Sequence, residues 1–441
     1  MPIEKTPADA VYARLAGNKE RVYPRPARGG ERLHPYAQPA VKAGFQFDKN
    51  AKIFASGSCF ARNIEKSLKF INANVVSSDP AALAHHPEKT AFQLYNKYTI
   101  HSILNEFKWA LSDAGKTQTE TLVEIAPDKY IDLQISPSYD VSGTFDEMAA
   151  QRLAYNQSFG AAANADVIII TLGLVEAWYD CETGVYLNLA PPKPLIQKYP
   201  NRFEFHLLDY DDIMNALCET YDLLRKGRKD NPPKMLFTVS PVGLASTFRE
   251  QDVLIANCYS KSVQRAAIDA FVATHDASYF PSYEYVTLTD RKFAWGQQDY
   301  RHVRQETVDR IMADVLLAYV GPSQQQALLY TRGHAQALFD HGDYDGAINL
   351  IESYQNEHGE EVEMFWLYAQ ALNRAKRPLE AAHICTKITA ANAQATRPAA
   401  RTAINIYKAQ KMPDELKSML DFYAKTFPED VDFLARYPSQ N

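Results

Sequence analysis

The sequence predicts an α/β sandwich, three layers around a mostly parallel sheet, followed by an all-helical region. Two observations carry this. Apolar runs of strand length alternate with helical patterns from Lys52 to about Pro322, and one of them, Asp166 to Leu172 (DVIIITL), is apolar at nearly every position. Continuous hydrophobicity is what a parallel strand covered on both faces requires. Beyond residue 325 only helical periodicity remains, and it recurs at a fixed interval.

Residues 1–48 contain VYPRPARGGERLHPYAQPAVK, rich in Pro, Gly and Arg, and read as an extended arm with one short helical pattern from Ala8 to Leu15. Residues 49–321 form the α/β domain. Its first strand is Ile53 to Ala55, stopped by Ser56-Gly57-Ser58, with a helix over Ala61 to Phe70. Further strand candidates are Asn74 to Ser77, Asp166 to Leu172, Lys234 to Val242 and Ser278 to Val286, with helices over Asp211 to Lys226 and Ala256 to His275. An insertion at about 80–160 holds a helix (Tyr98 to Ala114) and an alternating stretch, LVEIAPDKYIDLQIS, that reads as a hairpin. Insertions of this kind build cleft walls.

Residues 325–441 repeat one feature. Gly342-Asp343-Tyr344, Lys376-Arg377-Pro378 and Lys411-Met412-Pro413 each precede an apolar helix, at intervals of 34 and 35 residues. That is the period of tetratricopeptide repeats, whose helix pairs must stack to bury their apolar faces.

Composition excludes several classes. The net charge of −6 is mild and no Lys/Arg-rich run is present, so nucleic acid is not an expected partner. The N-terminal MPIEKTPADAVYARLAGNKER lacks the apolar core of a signal peptide, and no stretch approaches the ~20 apolar residues of a membrane span. Five scattered cysteines form no disulfide framework. The expectation is a cytoplasmic protein. His85-His86 lack further ligands at metal-binding spacing, so neither a metal nor another cofactor is expected.

Ligands of open α/β sheets bind beyond the carboxyl ends of the strands. Three segments there carry candidate chemistry. In Ser56-Gly57-Ser58-Cys59, Gly57 permits a sharp turn and Ser58 opens a helix, as a cap or as a nucleophile. Cys59 is the rival nucleophile, with apolar neighbours that favour a packing thiol. In Asp299-Tyr300-Arg301-His302, the carboxylate can accept the imidazole N–H and leave the other ring nitrogen to take a serine proton. In Thr171 to Trp178, Gly173 allows close backbone approach to a ligand, while Glu176 and Trp178 suit a sugar.

Together these segments resemble the GSCFA family, named for the pentapeptide at Gly57 to Ala61. Further matching blocks are YNKYTI (Tyr95 to Ile100), TLGLVEAWYD (Thr171 to Asp180), TVSPVGLASTFR (Thr238 to Arg249), ANCYSKS (Ala256 to Ser262), YFPSYEYV (Tyr279 to Val286) and DYRHV (Asp299 to Val303). The resemblance covers roughly residues 45–320 and implies an SGNH/GDSL-like fold of flavodoxin-like architecture that cleaves or transfers acyl esters, often on carbohydrates. It assigns Ser58 as nucleophile, His302 as base and Asp299 as its orienting acid. The SGNH pattern G-x-N-D supplies an oxyanion asparagine, but Gly173-Leu174-Val175-Glu176 stands here, and valine cannot donate. The Ser58 amide and Asn96 are the candidate replacements.

Two functions follow as expectations. The first is a serine esterase or O-acyltransferase acting on a carbohydrate or glycan precursor, with Trp178, Tyr283 and Tyr285 lining an aromatic cleft. The second is a non-catalytic carbohydrate-binding scaffold that recruits a protein partner through its helical repeats.

Overall fold

The computed structural model describes residues 2–77, 93–111, 118–135, 141–296, 299–393 and 395–437. The chain divides into two compact units, Met1–Pro322 and Ser323–Asn441.

The first unit is built on a four-stranded parallel sheet. Its strands are β1 (Ile53–Gly57), β4 (Val167–Leu172), β8 (Lys234–Val239) and β9 (Ala277–Tyr279), paired in that spatial order. Register runs Ile53 opposite Val167 and Val167 opposite Lys234. Phe54, Ile168, Ile170, Met235 and Phe237 share one apolar core with α3 (Ile100–Leu111), α4 (Phe145–Gly160), α6 (Tyr210–Arg225) and α7 (Val253–Val272). The alternate residues Ile53, Ala55, Val167, Ile169 and Leu236 are buried as well. On that side α2 (Cys59–Phe70) packs against β1 and against α10 (Gln305–Tyr319), and the Ser67 hydroxyl donates to Asp309 at 2.6 Å. Burial on both faces explains why these strands read as unbroken apolar runs.

The hairpin of the insertion is β2 (Leu122–Ala126) and β3 (Lys129–Asp132), turned through Asp128 in the left-handed region. A buried ionic cluster binds it to the helices. Arg152 of α4 pairs with Asp132 at 3.0 Å and with Glu106 of α3, which also holds Lys97. Lys97 Nζ donates to the Gln134 carbonyl at 2.6 Å as well.

Within the first unit, the end of the arm packs on the α/β fold that follows it. Phe47 N–H donates to the Tyr319 carbonyl at 2.9 Å, and the Phe45 and Phe47 rings lie against Tyr319. Ala37 N–H donates to Thr289 Oγ1, and Arg310 sits 3.7 Å from the centre of the Tyr36 ring.

Several sequence expectations need correction. Asn74 to Ser77 forms no strand; Val75 makes a single parallel bridge to Ile53. Ser278 to Val286 is not one strand. Only Ala277–Tyr279 pairs, and after Pro281 the chain turns into α8 (Ser282–Leu288), with Ser282, Tyr285 and Val286 buried at helical spacing. A second sheet had no sequence expectation: β5 (Glu176–Asp180) lies between β6 (Val185–Leu187) and β7 (Phe203–Leu207), all antiparallel. His85 and His86 lie outside the described residues, and among those described no cluster of three metal-ligating side chains occurs. No helix among them is long and apolar enough to cross a membrane.

The second unit is all-helical: α11 (Gln324–His341), α12 (Tyr344–His358), α13 (Val362–Arg374), α14 (Pro378–Ala390), α15 (Thr396–Ala409), α16 (Pro413–Thr426) and the short α17 (Val431–Leu434). From α11 to α16 each helix packs on the next. The three turns singled out by spacing share a backbone device, since Gly342, Lys376 and Lys411 all adopt positive φ (85°, 63° and 57°) within two residues of a helix end. Small buried residues, among them Ala371, Ala381, Ala399 and Ala403, let neighbouring helices approach.

Candidate active site

Beyond the carboxyl ends of β1, β4 and β8 lies a cavity of about 630 Å³. Ser58 and His302 both line it, as do Asn96, Gly173, Glu176 and Trp178.

Gly57 ends β1 with φ 146°, and a Cβ there would meet Thr171 Oγ1 at 1.8 Å and the Thr171 carbonyl at 2.5 Å. Only glycine fits this turn. It sets Ser58 at the N-cap of α2, where the hydroxyl accepts weakly from Phe60 N–H at 3.4 Å. The same hydroxyl lies 3.1 Å from Ser240 Oγ at the end of β8. Cys59 also borders the cavity; burial pushes its thiol pKa up, which disfavours the thiolate a nucleophile needs.

The loop before α10 folds on itself around Asp299. Its carboxylate accepts from His302 N–H at 2.9 Å and from Arg301 N–H at 3.2 Å, and meets His302 Nδ1 at 2.5 Å. The His302 backbone N–H, followed by the imidazole, holds the Asp299 carboxyl down at about 2. On the other side of the ring Arg301 Nη2 lies 3.4 Å from His302 Nε2. A guanidinium carries only donors, so Nε2 presents its lone pair there and Nδ1 carries the hydrogen given to Asp299. Among the described residues no hydrogen bond joins Ser58 to His302.

Asn96 stands beside β1 through a bridge to Gly57. It is 3% exposed, its Oδ1 is buried without a partner, and no described residue hydrogen bonds its carboxamide. Its backbone is pinned from two directions. Asn188 Nδ2 donates to the Asn96 carbonyl at 2.9 Å, while Lys97 N–H donates to the Gly57 carbonyl at 2.8 Å. The buried ionic cluster thus holds Lys97, and Asn96 with it. Burial lowers the Lys97 pKa to about 8, against the opposing pull of Glu106.

Gly173 follows β4 and approaches the insertion closely; a Cβ would lie 2.8 Å from the Tyr98 carbonyl. Its own carbonyl accepts from Lys261 Nζ at 2.7 Å and Gln264 Nε2 at 3.1 Å. Lys261 also donates to the Val242 carbonyl at 2.8 Å, tying the β4 and β8 loops together. Burial brings the Lys261 pKa down to about 7. Val175 is fully buried in the core and its N–H donates to Ser260 Oγ, so this position faces away from the cavity.

Glu176 borders the cavity, but its carboxylate accepts from Thr247 Oγ1 at 2.6 Å and Phe248 N–H at 2.8 Å, so it braces the loop after β8. Trp178 packs edge-on against Phe248 and Phe205, with its buried Nε1 lacking a partner. Tyr283 is not on the cavity wall; it packs against the core on the helical face of the sheet. Tyr285 is likewise remote, donating to Asp314 at 2.7 Å.

Sequence reasoning assigned no role to Ser240, Arg301, Asn188 or Lys261. Three of them sit in blocks that had been singled out: Ser240 in TVSPVGLASTFR, Lys261 in ANCYSKS and Arg301 in DYRHV. Asn188 had no such signal.

The sequence pattern of the GSCFA family matches residues 52–314. No curated protein and no solved structure matches the chain.

Proposed function

We propose that this chain, which belongs to the GSCFA family, is a serine esterase or O-acyltransferase of SGNH type acting on acyl esters of a carbohydrate or glycan precursor. One observation carries the reading: Ser58 and His302, distant in sequence, border the same cavity, and an aspartate carboxylate holds the far nitrogen of the imidazole.

In this reading Ser58 Oγ attacks the ester carbonyl carbon while His302 Nε2 takes the hydroxyl proton. The carbonyl π electrons move to oxygen, and the resulting oxyanion is met by Asn96 Nδ2 and by the Ser58 and Gly173 amides, donors that no described residue engages. Collapse expels the alcohol, which takes the proton from the imidazolium, and leaves an acyl-serine. Water then gives hydrolysis; a sugar hydroxyl gives acyl transfer. Asp299 fixes the tautomer throughout. The aromatic wall of Trp178 and Phe248 supplies an apolar face for a sugar ring. The C-terminal unit is read as tetratricopeptide-like, with a protein partner on its repeats.

A fluorophosphonate probe tests the reading. Labelling of the full chain at Ser58, abolished by Ser58→Ala and strongly slowed by His302→Ala, is the expected result. A second reading, a binding protein without turnover, draws on the hydrogen bonds that occupy Ser58 and His302 separately. Failure of the folded protein to label would favour it.

A further inference from the structure

We propose that the ester bound at Ser58 carries an anionic group, a phosphate or a carboxylate, held by the guanidinium of Arg301. The proposal rests on the reading of the cavity as an ester-cleaving site, but the observations behind it are separate.

Arg301 lines the cavity next to His302. No carboxylate of the described residues pairs with it, and its guanidinium has His302 Nε2 as its polar neighbour. The other ionisable groups on the wall do not balance this charge. The Glu176 carboxylate already serves Thr247 and Phe248, and burial keeps the Cys59 thiol protonated. Lys261, just behind Gly173 and Val242, spends its Nζ on their carbonyls and supplies no counter-charge. Asp299, the carboxylate at this end, spends its oxygens on the His302 ring and on the His302 and Arg301 N–H groups, so the guanidinium itself has no carboxylate partner among the described residues.

A planar guanidinium offers paired donors that match a phosphate or carboxylate edge, and such charge-assisted bonds are the strong ones. Arg301 adjoins the base in sequence, and neighbouring Cα atoms lie about 3.8 Å apart. The anion it binds must then sit close to the scissile bond rather than at a remote end of the substrate. Position has a second consequence. The guanidinium rests on Nε2, the nitrogen that must accept the Ser58 proton. An anion that draws the guanidinium to itself uncovers that nitrogen, whereas a neutral ester leaves it covered. Arg301 then selects substrates as well as binding them.

The test uses two matched ester pairs with the full-length protein. Methyl 2-O-acetylglucoside against 2-O-acetylglucose 1-phosphate, whose phosphate adjoins the ester, probes phosphate; 4-nitrophenyl acetate against mono-4-nitrophenyl succinate probes carboxylate. The expected result is a kcat/KM about 10- to 100-fold higher for the charged member of one pair, the size of a charge-assisted hydrogen bond. The ratio should fall toward one in Arg301→Gln and recover in part in Arg301→Lys. The pair that responds identifies the anion. Equal rates within both pairs, or a ratio that persists in Arg301→Gln, overturns the proposal. Calorimetric titration of Ser58→Ala with inorganic phosphate and with succinate separates it from the catalytic reading. Saturable binding that Arg301→Gln removes supports the anchor even if the wild type cleaves no ester, the outcome that sinks catalysis. Absence of binding by both anions overturns the anchor.

Discussion

Ser58 Oγ and Ser240 Oγ stand 3.1 Å apart, so the hydroxyl at the end of the first strand is oriented by one at the end of the third. Ser240 is fully buried, and its oxygen also accepts from Val242 N–H at 3.3 Å, which fixes its position beside Ser58. Ser240→Ala removes that orientation and leaves the Val242 amide without its acceptor. We expect fluorophosphonate labelling of Ser58 to slow about tenfold, the worth of one neutral hydrogen bond. An unchanged labelling rate would mean the contact has no part in the chemistry.

Asp299→Asn tests the orienter. The side chains of His302 and Asp299 are 50% and 43% exposed, so solvent screening leaves their pairing worth under about 1 kcal/mol of stability. Turnover should nevertheless drop ~10²-fold, because an amide can present its N–H to Nδ1 and favour the wrong tautomer. The sign of the acid dependence follows from the depressed carboxyl. Its stabilising contribution is complete above the ordinary value of 3.8 and disappears as pH falls through about 2. A carbon-13 titration that placed the Asp299 carboxyl at 3.8 or higher would contradict the pairing.

Lys261 gives a dependence of the same sign in a higher pH window, with burial rather than a hydrogen bond as its cause. Its ordinary value of 10.5 falls to about 7 on burial, so between these limits the unfolded chain holds a proton that the folded chain has released. Stability contributed at this position therefore rises with pH from 7 to 10.5, by as much as ~1.4 kcal/mol per unit. Denaturant unfolding of wild type and Lys261→Met across this range isolates the effect. The wild type should gain relative to the variant as pH rises; parallel curves would argue against a proton-releasing lysine.

Glu176→Ala removes the acceptor of two hydrogen bonds and frees the loop that carries Phe248. A loss of ~2 kcal/mol in unfolding free energy is expected from one buried charged acceptor. Because Phe248 packs on Trp178, KM for a sugar ester should rise more than kcat falls. A variant with the stability loss and unaltered KM would separate the brace from the substrate wall.

How far the sequence reached follows from where each residue finds its partners. β1 and β4 were legible because strands buried on both faces leave no polar position to interrupt the pattern. The turns at 342, 376 and 411 were legible because repetition amplifies a weak local signal. β5 was not: Glu176 and Asp180 are buried within it, and their acceptable burial depends on Thr247, Phe248 and Arg202, far along the chain. The single strand expected over Ser278 to Val286 failed because SYEYV alternates like a strand while Pro281 starts a helical turn, which carries Tyr283 and Tyr285. The departure at Val175 lost its weight once the side chain proved to be a core residue, and the carboxamide that lines the cavity with Ser58, unpartnered among the described residues, came from the insertion, at Asn96. Ser240 and Arg301 were visible as letters in recurrent blocks, but only three-dimensional adjacency to Ser58 and His302 gives them a role.

The contact of Phe47 with Tyr319 brings the entry and exit of the sheet-bearing fold to one spot. Such a layout is modular: a polypeptide can be spliced in or rewired there with no strand being cut. A circularly permuted version joined between these two points, and opened at an exposed loop elsewhere, should retain the native sheet order.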